Sequence, residues 1–574
     1  MKASKKRGFT IVELVIVIAV IAILAAVLIP TFANIIQKAN VANDVALARN
    51  MNTILIADEA TNGRSTDMYD VLIALEQGGF KLENLNPRAD GNVFAWDKAN
   101  NQIVYLDKKN PDKPIFQAKE IGDNKGDLYI TTRKAEVFAD YPGYSYYFAS
   151  DISGDITLDE GSCLDTGEFA LTGDVSVKTE KDVEIHGTIN GTITVDSPSG
   201  KITNYSVVKN VVIKNTAATS YHERGHVAAM EIQNSLTGKV VLENDAYVEK
   251  LTNNRTSGTV ESKGYVKEVD GSDTTSVEKT ESGYILEIGT YDQLVNFRNK
   301  VNAGASYSGM TVKLTADIDI SERAWTPIGA KHREKINADS NVFQGTFDGQ
   351  NHKITGLTNT GFMISSAYKG WNDTTPKDYN EYVFGLFGSV YNATIENIVM
   401  ANVNIDLACD EKEKVVGDSI GAIVGFAAGD QVTIAGCKVI SGSIVGYDAV
   451  AGIIGRTYSA KTTINKCENA ATVTAIRRAS GILGFTSGGK GAEIVTINGC
   501  KNSGNVKQTG TPTTDPAGKG QEGNYGYYMV AGLAICQRGG VLQTVGEISS
   551  STNTGTVTLT VPTDKNKSDT VWYY

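Results

Sequence analysis

The strongest pattern in the chain lies at its start. Residues 1–8 (MKASKKRG) are polar and carry four cations, Lys2, Lys5, Lys6 and Arg7. From Phe9 to Ile29 there follow 21 residues interrupted only by Thr10 and Glu13. A helix over that run spans about 30 Å, the hydrocarbon thickness of a bilayer. Its cationic flank belongs on the cytoplasmic side. The run is too long for the ~7–15-residue apolar core of a secretory signal. Apolar residues then recur at three- and four-residue steps through Phe32, Ile35, Ile36, Ala39, Ala42, Val45 and Ala46, which predicts that the helix continues to about Glu59. A second helix is expected over Thr66–Leu75, capped by Thr66 or Asp67 and ended by Gly78-Gly79. A hairpin of Asn92–Trp96 and Gln102–Leu106 follows, and residues 107–127 read as a linker.

Downstream the helical period disappears. Residues 145–270 alternate apolar and polar positions and predict a smaller β-rich, solenoid-like domain, bounded by the apolar-poor stretch 252–283. Beyond it a Gly-apolar-apolar-Gly element recurs: GLFG at 385–388, GAIVG at 421–425, GIIG at 452–455, GILG at 481–484 and a degenerate GLAI at 532–535. A second element follows the first four, as Thr394-Ile395-x-x-Ile398, Thr433-Ile434-x-x-Cys437, Thr463-Ile464-x-x-Cys467 and Thr496-Ile497-x-x-Cys500, and a third closes each unit (NVNI, GSIV, ATVT, GNVK). A short repeat with glycine turns cannot bury its own apolar faces, so stacking is expected, with three short strands per rung and rungs about 4.8 Å apart. The fold class is therefore mixed: a long N-terminal helix with a small α+β head, then a mainly-β, right-handed parallel β-solenoid over residues 284–562. The polar segment Gln508–Asn524 reads as a loop leaving the stack.

Composition sharpens this picture. The 574 residues include 58 Gly and only 11 Pro, as many short strands joined by tight turns require. Six Cys are too few for a disulfide scaffold. The net charge of −11 argues against a nucleic-acid partner, which would call for clustered Lys and Arg.

Glu13 is the anomaly in the apolar run, because a carboxylate in a membrane is costly unless paired. A cut after Gly8 would supply the partner, as the ammonium of Phe9 in a neighbouring subunit. The segment Lys5-Lys6-Arg7-Gly8-Phe9-Thr10-Ile11-Val12-Glu13-Leu14 resembles the type IV prepilins, and Pro30 also fits that family. The resemblance implies cleavage of Gly8–Phe9 by a prepilin peptidase, N-methylation of Phe9, Glu13 and Pro30 acting in assembly, and other pilin subunits and the membrane as partners. It covers a leader (1–8), a membrane and pilus-core helix (9–29) and a pilin-like module (9–120). Without the leader the chain carries −15, with 50 basic against 65 acidic residues. The downstream repeats resemble the GLUG-type repeats of bacterial surface proteins, as do Leu314–Ile320, Trp325–Gly329 and Phe343–Gly349 just upstream.

Several residues invite a chemical reading. His222-Glu223-Arg224-Gly225-His226 matches H-E-x-x-H, in which two His on one helix face bind zinc and the Glu activates water. Arg224 and the strand-like flanks depart from that pattern, a third ligand would have to be Glu243 or Glu249, and the reading adopted is a surface loop without metal. Cys437, Cys467 and Cys500 share one repeat position with Ile398 and read as buried free thiols; Cys163, Cys409 and Cys536 have no assignable partners. Asp317, Asp319 and Asp348 read as turn and cap residues rather than calcium ligands. The segment Ser365–Glu381 carries Tyr368, Trp371 and Tyr379, aromatic candidates for contact with a glycan or a cell-surface protein, and Tyr525, Tyr527 and Tyr528 form a second set. The expectation is a minor or tip pilin-like subunit, membrane-anchored by one span and then displayed on a pilus or the cell surface, presenting its solenoid for adhesion, with no cofactor and no enzymatic activity. The competing readings are a membrane-tethered carbohydrate-active or zinc-dependent enzyme on a pilin-type anchor, and a DNA-handling pseudopilin, which the acidic charge disfavours.

Overall fold

The apolar run and its amphipathic continuation form one helix, α1 (Ile11–Asn62), in the computed structural model, with Pro30 in its interior. The structure describes residues 11–65, 67–81, 85–158, 162–197, 199–215, 221–233, 238–255, 260–272, 277, 284–321, 324–329, 336–338, 341–359, 383–407, 419–486, 494–510, 529–535 and 545–559. Two compact units divide the chain between Val183 and Glu184, inside the stretch 145–270 that the apolar alternation treats as one domain.

In the first unit, the second half of α1 is the spine of a small head. Ala48, Met51 and Leu55 are buried on it. Two polar pins fix the docking. The Asp44 carboxylate accepts the backbone N–H groups of Arg88 and Ala89, both at 2.9 Å, and the Tyr105 hydroxyl at 2.9 Å. Asn52 accepts from the Ile103 N–H and donates to its carbonyl, each at 2.8 Å. Helix α2 (Met68–Gln77) starts where the Asp67 side chain accepts the Asp70 N–H, and it buries Met68, Val71, Leu72 and Leu75. The strands Val93–Asp97 and Gln102–Leu106 form the expected antiparallel hairpin. Leu128–Thr132 adds to it antiparallel, and from there the mode changes: Ser145–Phe148 runs parallel to Leu128–Thr132, across the short helix α3 (Glu136–Asp140), and Cys163–Thr172 runs parallel to Ser145–Phe148.

The second unit is built from parallel stacking. In its first part the strands Val183–Asp196, Val207–Asn215, His226–Ile232, Tyr247–Asn253 and Tyr265–Asp270 lie in register, so that Ile193, Val211, Met230, Leu251 and Val269 form one column. Helix α4 (Tyr291–Asn302), capped by the Thr290 hydroxyl, buries Leu294, Phe297 and Val301 and lies between the first two strands of the next stack. That next part has four stacks of parallel strands. On the long sheet Phe347, Ile395, Ile434, Ile464 and Ile497 are in register and fully buried.

The three-strand rung expected from the repeat is therefore corrected to four. The fourth strand is only two or three residues long (Ser419–Gly421, Val450–Ala451, Arg478–Ser480) and runs directly into the glycine element. Alternation cannot show in so short a segment. The glycines there serve close backbone approach rather than left-handed torsion: a Cβ on Gly425 would lie 2.7 Å from the Ser419 carbonyl oxygen and 2.8 Å from that of Gly388. Polar ladders complete the stack. Asn469 donates to Asn502 at 2.8 Å and Asn502 to Asn553 at 2.7 Å.

Candidate functional site

The N-terminal helix presents an uncovered apolar surface. Leu14, Ile16, Ile18, Ile21, Ile29 and Phe32 are among the large side chains it leaves exposed. Among the described residues it is the one helix long and apolar enough to cross a membrane. Pro30 has no N–H to donate to the preceding turn and loosens the helix at the end of the apolar run. Glu13 lies on the first turn of α1, and its side chain, like Gly8 and Phe9, falls outside what the structure describes.

The H-E-x-x-H sequence lies neither on a helix nor in a loop. Tyr221–Glu223 is a strand, Arg224–Gly225 a corner, and His226–Ile232 the next strand. The surface-loop reading is corrected by the position of Glu223, which is fully buried. Its Oε2 accepts the Tyr221 hydroxyl at 2.5 Å and its Oε1 the Gly225 N–H at 2.7 Å, while the Asn204 amide lies 3.1 Å from both oxygens. Burial pushes the Glu223 carboxyl up to about 7, against those hydrogen bonds and the charge of Lys300, which hold it down. The imidazoles face away on separate carboxylates one rung along: His222 Nδ1 is 2.6 Å from Glu243, and His226 Nε2 is 3.1 Å from Glu249. Among the described residues the three offer no common point for a metal. Glu243 and Glu249, the only third ligands the spacing could have supplied, are each committed to one histidine.

This corner instead joins α4 to the first part of the unit. Asp245 accepts from Arg224 Nε at 3.1 Å and from the Asn296 amide at 3.3 Å. The Lys300 ammonium, buried from α4, donates to the Asp245 carbonyl, and burial lowers its pKa to about 8. Sequence reasoning missed this junction, because Lys300 sits in an otherwise ordinary amphipathic helix pattern.

The other candidates take structural places or fall outside the description. Asp317 accepts the Lys353 N–H at 2.9 Å, Asp319 the Ser321 N–H at 2.9 Å, and Asp348 the Gln350 N–H at 3.0 Å. Asp319 and Asp348 thus serve local turns, whereas Asp317 is corrected from that reading, since its partner lies 36 residues on, at the start of the strand Lys353–Thr355. Cys437, Cys467 and Cys500 are buried free thiols whose Sγ atoms lie 3.6–3.7 Å from the carbonyls of Ile395, Ile434 and Ile464 in the preceding rungs. Cys163 is partly buried and forms no disulfide. Tyr368, Trp371 and Tyr379, the second aromatic set at 525–528, Cys409 and Cys536 all lie outside the described residues.

Comparison with known proteins bears on the N-terminus. Residues 3–29 match the prokaryotic N-terminal methylation motif. The chain is 34% identical over 94 residues to the type IV major fimbrial protein FimA of Dichelobacter nodosus, covering 16% of this chain and 57% of that protein. It is 42% identical over 98 residues to a fimbrial protein of Moraxella nonliquefaciens, covering 16% and 63%. A further FimA of Dichelobacter nodosus is 28% identical over 169 residues, covering 28% and 91%. The chain thus spans about three fifths of the first two relatives, and most of its own length lies beyond the similarity. No solved structure matches. The chain therefore opens with a prokaryotic N-terminal methylation motif of the type IV prepilin kind and is similar, over part of its length, to type IV fimbrial proteins.

Proposed function

We propose that this protein is a type IV pilin-like surface subunit, of the minor or tip kind, that presents its β-solenoid outward for adhesion. A prepilin peptidase removes residues 1–8, Phe9 is methylated, and Glu13 neutralises the new N-terminus of a neighbouring pilin subunit in the filament core. Before assembly α1 holds the precursor in the cytoplasmic membrane by a single span. The protein is a substrate of processing rather than an enzyme itself.

The observation that carries this reading is the coincidence of the methylation motif at residues 3–29 with a helix that leaves its apolar face open from Ile11 to Ile36 and docks a head only beyond it. An apolar surface of that extent needs lipid or other helices around it. The test is the intact mass of the protein recovered from cells. Loss of residues 1–8 and gain of one methyl group is expected, and a retained octapeptide overturns the processing. Glu13→Leu should leave cleavage intact while abolishing incorporation into filaments, because the N-terminal ammonium then has no counter-charge in an apolar surround. Filaments that incorporate the variant as well as the wild type refute the pairing. Immunogold labelling of the solenoid on intact cells distinguishes display on filaments from display flat on the surface.

A further inference from the structure

The long sheet of the second part turns one face to the core and the other outward. Its inner face carries the buried column of Phe347, Ile395, Ile434, Ile464 and Ile497. The residue before each of these alternates to the outer face, and every time it is a threonine. Thr311, Thr346, Thr394, Thr433, Thr463 and Thr496 pair in unbroken register on six successive strands. Ile285 precedes them on the first strand of the sheet, and at the far end the register shifts and Glu547 faces Thr496.

Threonine is not what an outward position on these strands requires. Two residues on, in the same strands and on the same face, stand Lys313, Asp348, Glu396, Ala435, Asn465 and Asn498. A preference of extended backbone for β-branched residues would act on both columns alike, yet only one of them is uniform. All six threonines are partly exposed, and among the described residues none of their hydroxyls makes a hydrogen bond. With rungs about 4.8 Å apart the ladder is ~24 Å long. Over its last three rungs the flanking outward positions are Gln431, Lys461 and Ile494 on one side and Ala435, Asn465 and Asn498 on the other. A single charge, that of Lys461, adjoins the threonines there. The buried column behind them fixes the backbone, so the hydroxyls and methyls are presented as a rigid row.

We propose that the threonine ladder binds a neutral, extended polysaccharide of the β-1,4-linked hexose type, laid along the axis of the stack with one sugar per rung. A threonine hydroxyl both donates and accepts, as a sugar hydroxyl does, and the methyl groups beside it meet the C–H surface of a pyranose ring. In a β-1,4-linked chain each sugar advances by about the length of one ring, close to one rung, whereas an α-1,4-linked chain coils away from a straight row. A polyanion or polycation would find almost no charge to pair with on those rungs. One modest contact is repeated along a fixed row, so affinity grows with the length of the ligand rather than residing in one residue. The proposal rests on the adhesion reading and names its ligand class. Binding by the purified chain involves no filament, so a negative result here leaves the test of processing and display untouched.

The experiment measures binding of cellohexaose to the full chain in zwitterionic detergent micelles, beside maltohexaose, which has the same composition, and beside the shorter cellobiose. Cellohexaose should bind at least tenfold more tightly than either. Thr394→Val, Thr433→Val and Thr463→Val together remove three hydroxyls from the middle of the row while keeping β-branched side chains on the strands, so the variant should unfold at the wild-type midpoint and bind cellohexaose at least tenfold more weakly. The matching triple change to serine keeps the hydroxyls and should bind more tightly than the valine variant. No binding of cellohexaose, equal binding of maltohexaose, an affinity independent of length, wild-type affinity in the folded valine variant, or a folded serine variant that binds no better than the valine one would each overturn the proposal.

Discussion

At the scale of single residues, Glu223 shows how burial decides a role that a motif leaves open. In H-E-x-x-H sites the glutamate must face a metal-bound water, but here it is turned inward, on Tyr221, Asn204 and the Gly225 N–H. That position has a consequence for pH. The folded state holds the Glu223 proton up to about pH 7, whereas the unfolded chain releases it near the ordinary value of 4.5. Folding therefore takes up a proton over that interval, so this group's contribution to stability is full below pH 4.5 and is lost as pH rises through 7. Each pH unit is worth 1.36 kcal/mol, giving a ceiling of about 3 kcal/mol. Glu223→Gln imitates the protonated state. Denaturant unfolding of the full chain at pH 4.5 and 7.5 should show the wild type losing up to ~3 kcal/mol relative to the variant between the two; identical pH dependence in both proteins would mean that the carboxyl does not hold its proton in the fold. The residue sequence alone already pointed away from zinc, through Arg224 and the flanking strand pattern, but it could not show that Glu223 is inside. That depends on the parity of a three-residue strand, and Tyr221–Glu223 is too short to display its own alternation.

Among the elements, α1 does two jobs along one axis. Its first half is apolar on all sides, whereas its second half is amphipathic and held by the Asp44 and Asn52 pins. Asn52→Ala would leave both the N–H and the carbonyl of Ile103 buried without that partner, at about 1–3 kcal/mol each. The variant should lower stability of the first unit by roughly 2–4 kcal/mol, and hydrogen exchange should rise first across Gln102–Leu106; unchanged protection of that strand would show that the pin does not hold the helix to the head. The helix itself was readable from its period, and so were the hairpin and the cap of α2, because each rests on local chemistry. The fourth strand of the rung was not. Its glycines carry no apolar pattern, and their purpose, the close passage of Gly425 by Ser419 and Gly388, is a relation between residues on different rungs. The columns of Ile and Cys were visible from spacing alone, since stacking repeats one slot per rung.

For the whole molecule, size and charge together limit how the proposed subunit can assemble. The second unit alone is 184–574, and a globular chain of that length has a radius of gyration of about 21 Å. Packed helices approach to within 8–10 Å of one another. Subunits joined through the exposed face of α1 would bring their heads closer than those heads are wide, and after loss of the leader each would carry a net charge of −15, adding mutual repulsion. Both effects disappear if copies of this chain are separated by smaller subunits or confined to an end. Quantitative mass spectrometry of sheared filaments should accordingly find this chain as a small minority beside a more abundant, shorter pilin, and deleting the solenoid (residues 284–562) should raise its share. A filament composed mainly of the full-length chain would require its heads to be spaced by something other than the helix contact. The placement of α1 at the centre of assembly would then have to be given up, even with cleavage at Gly8–Phe9 intact.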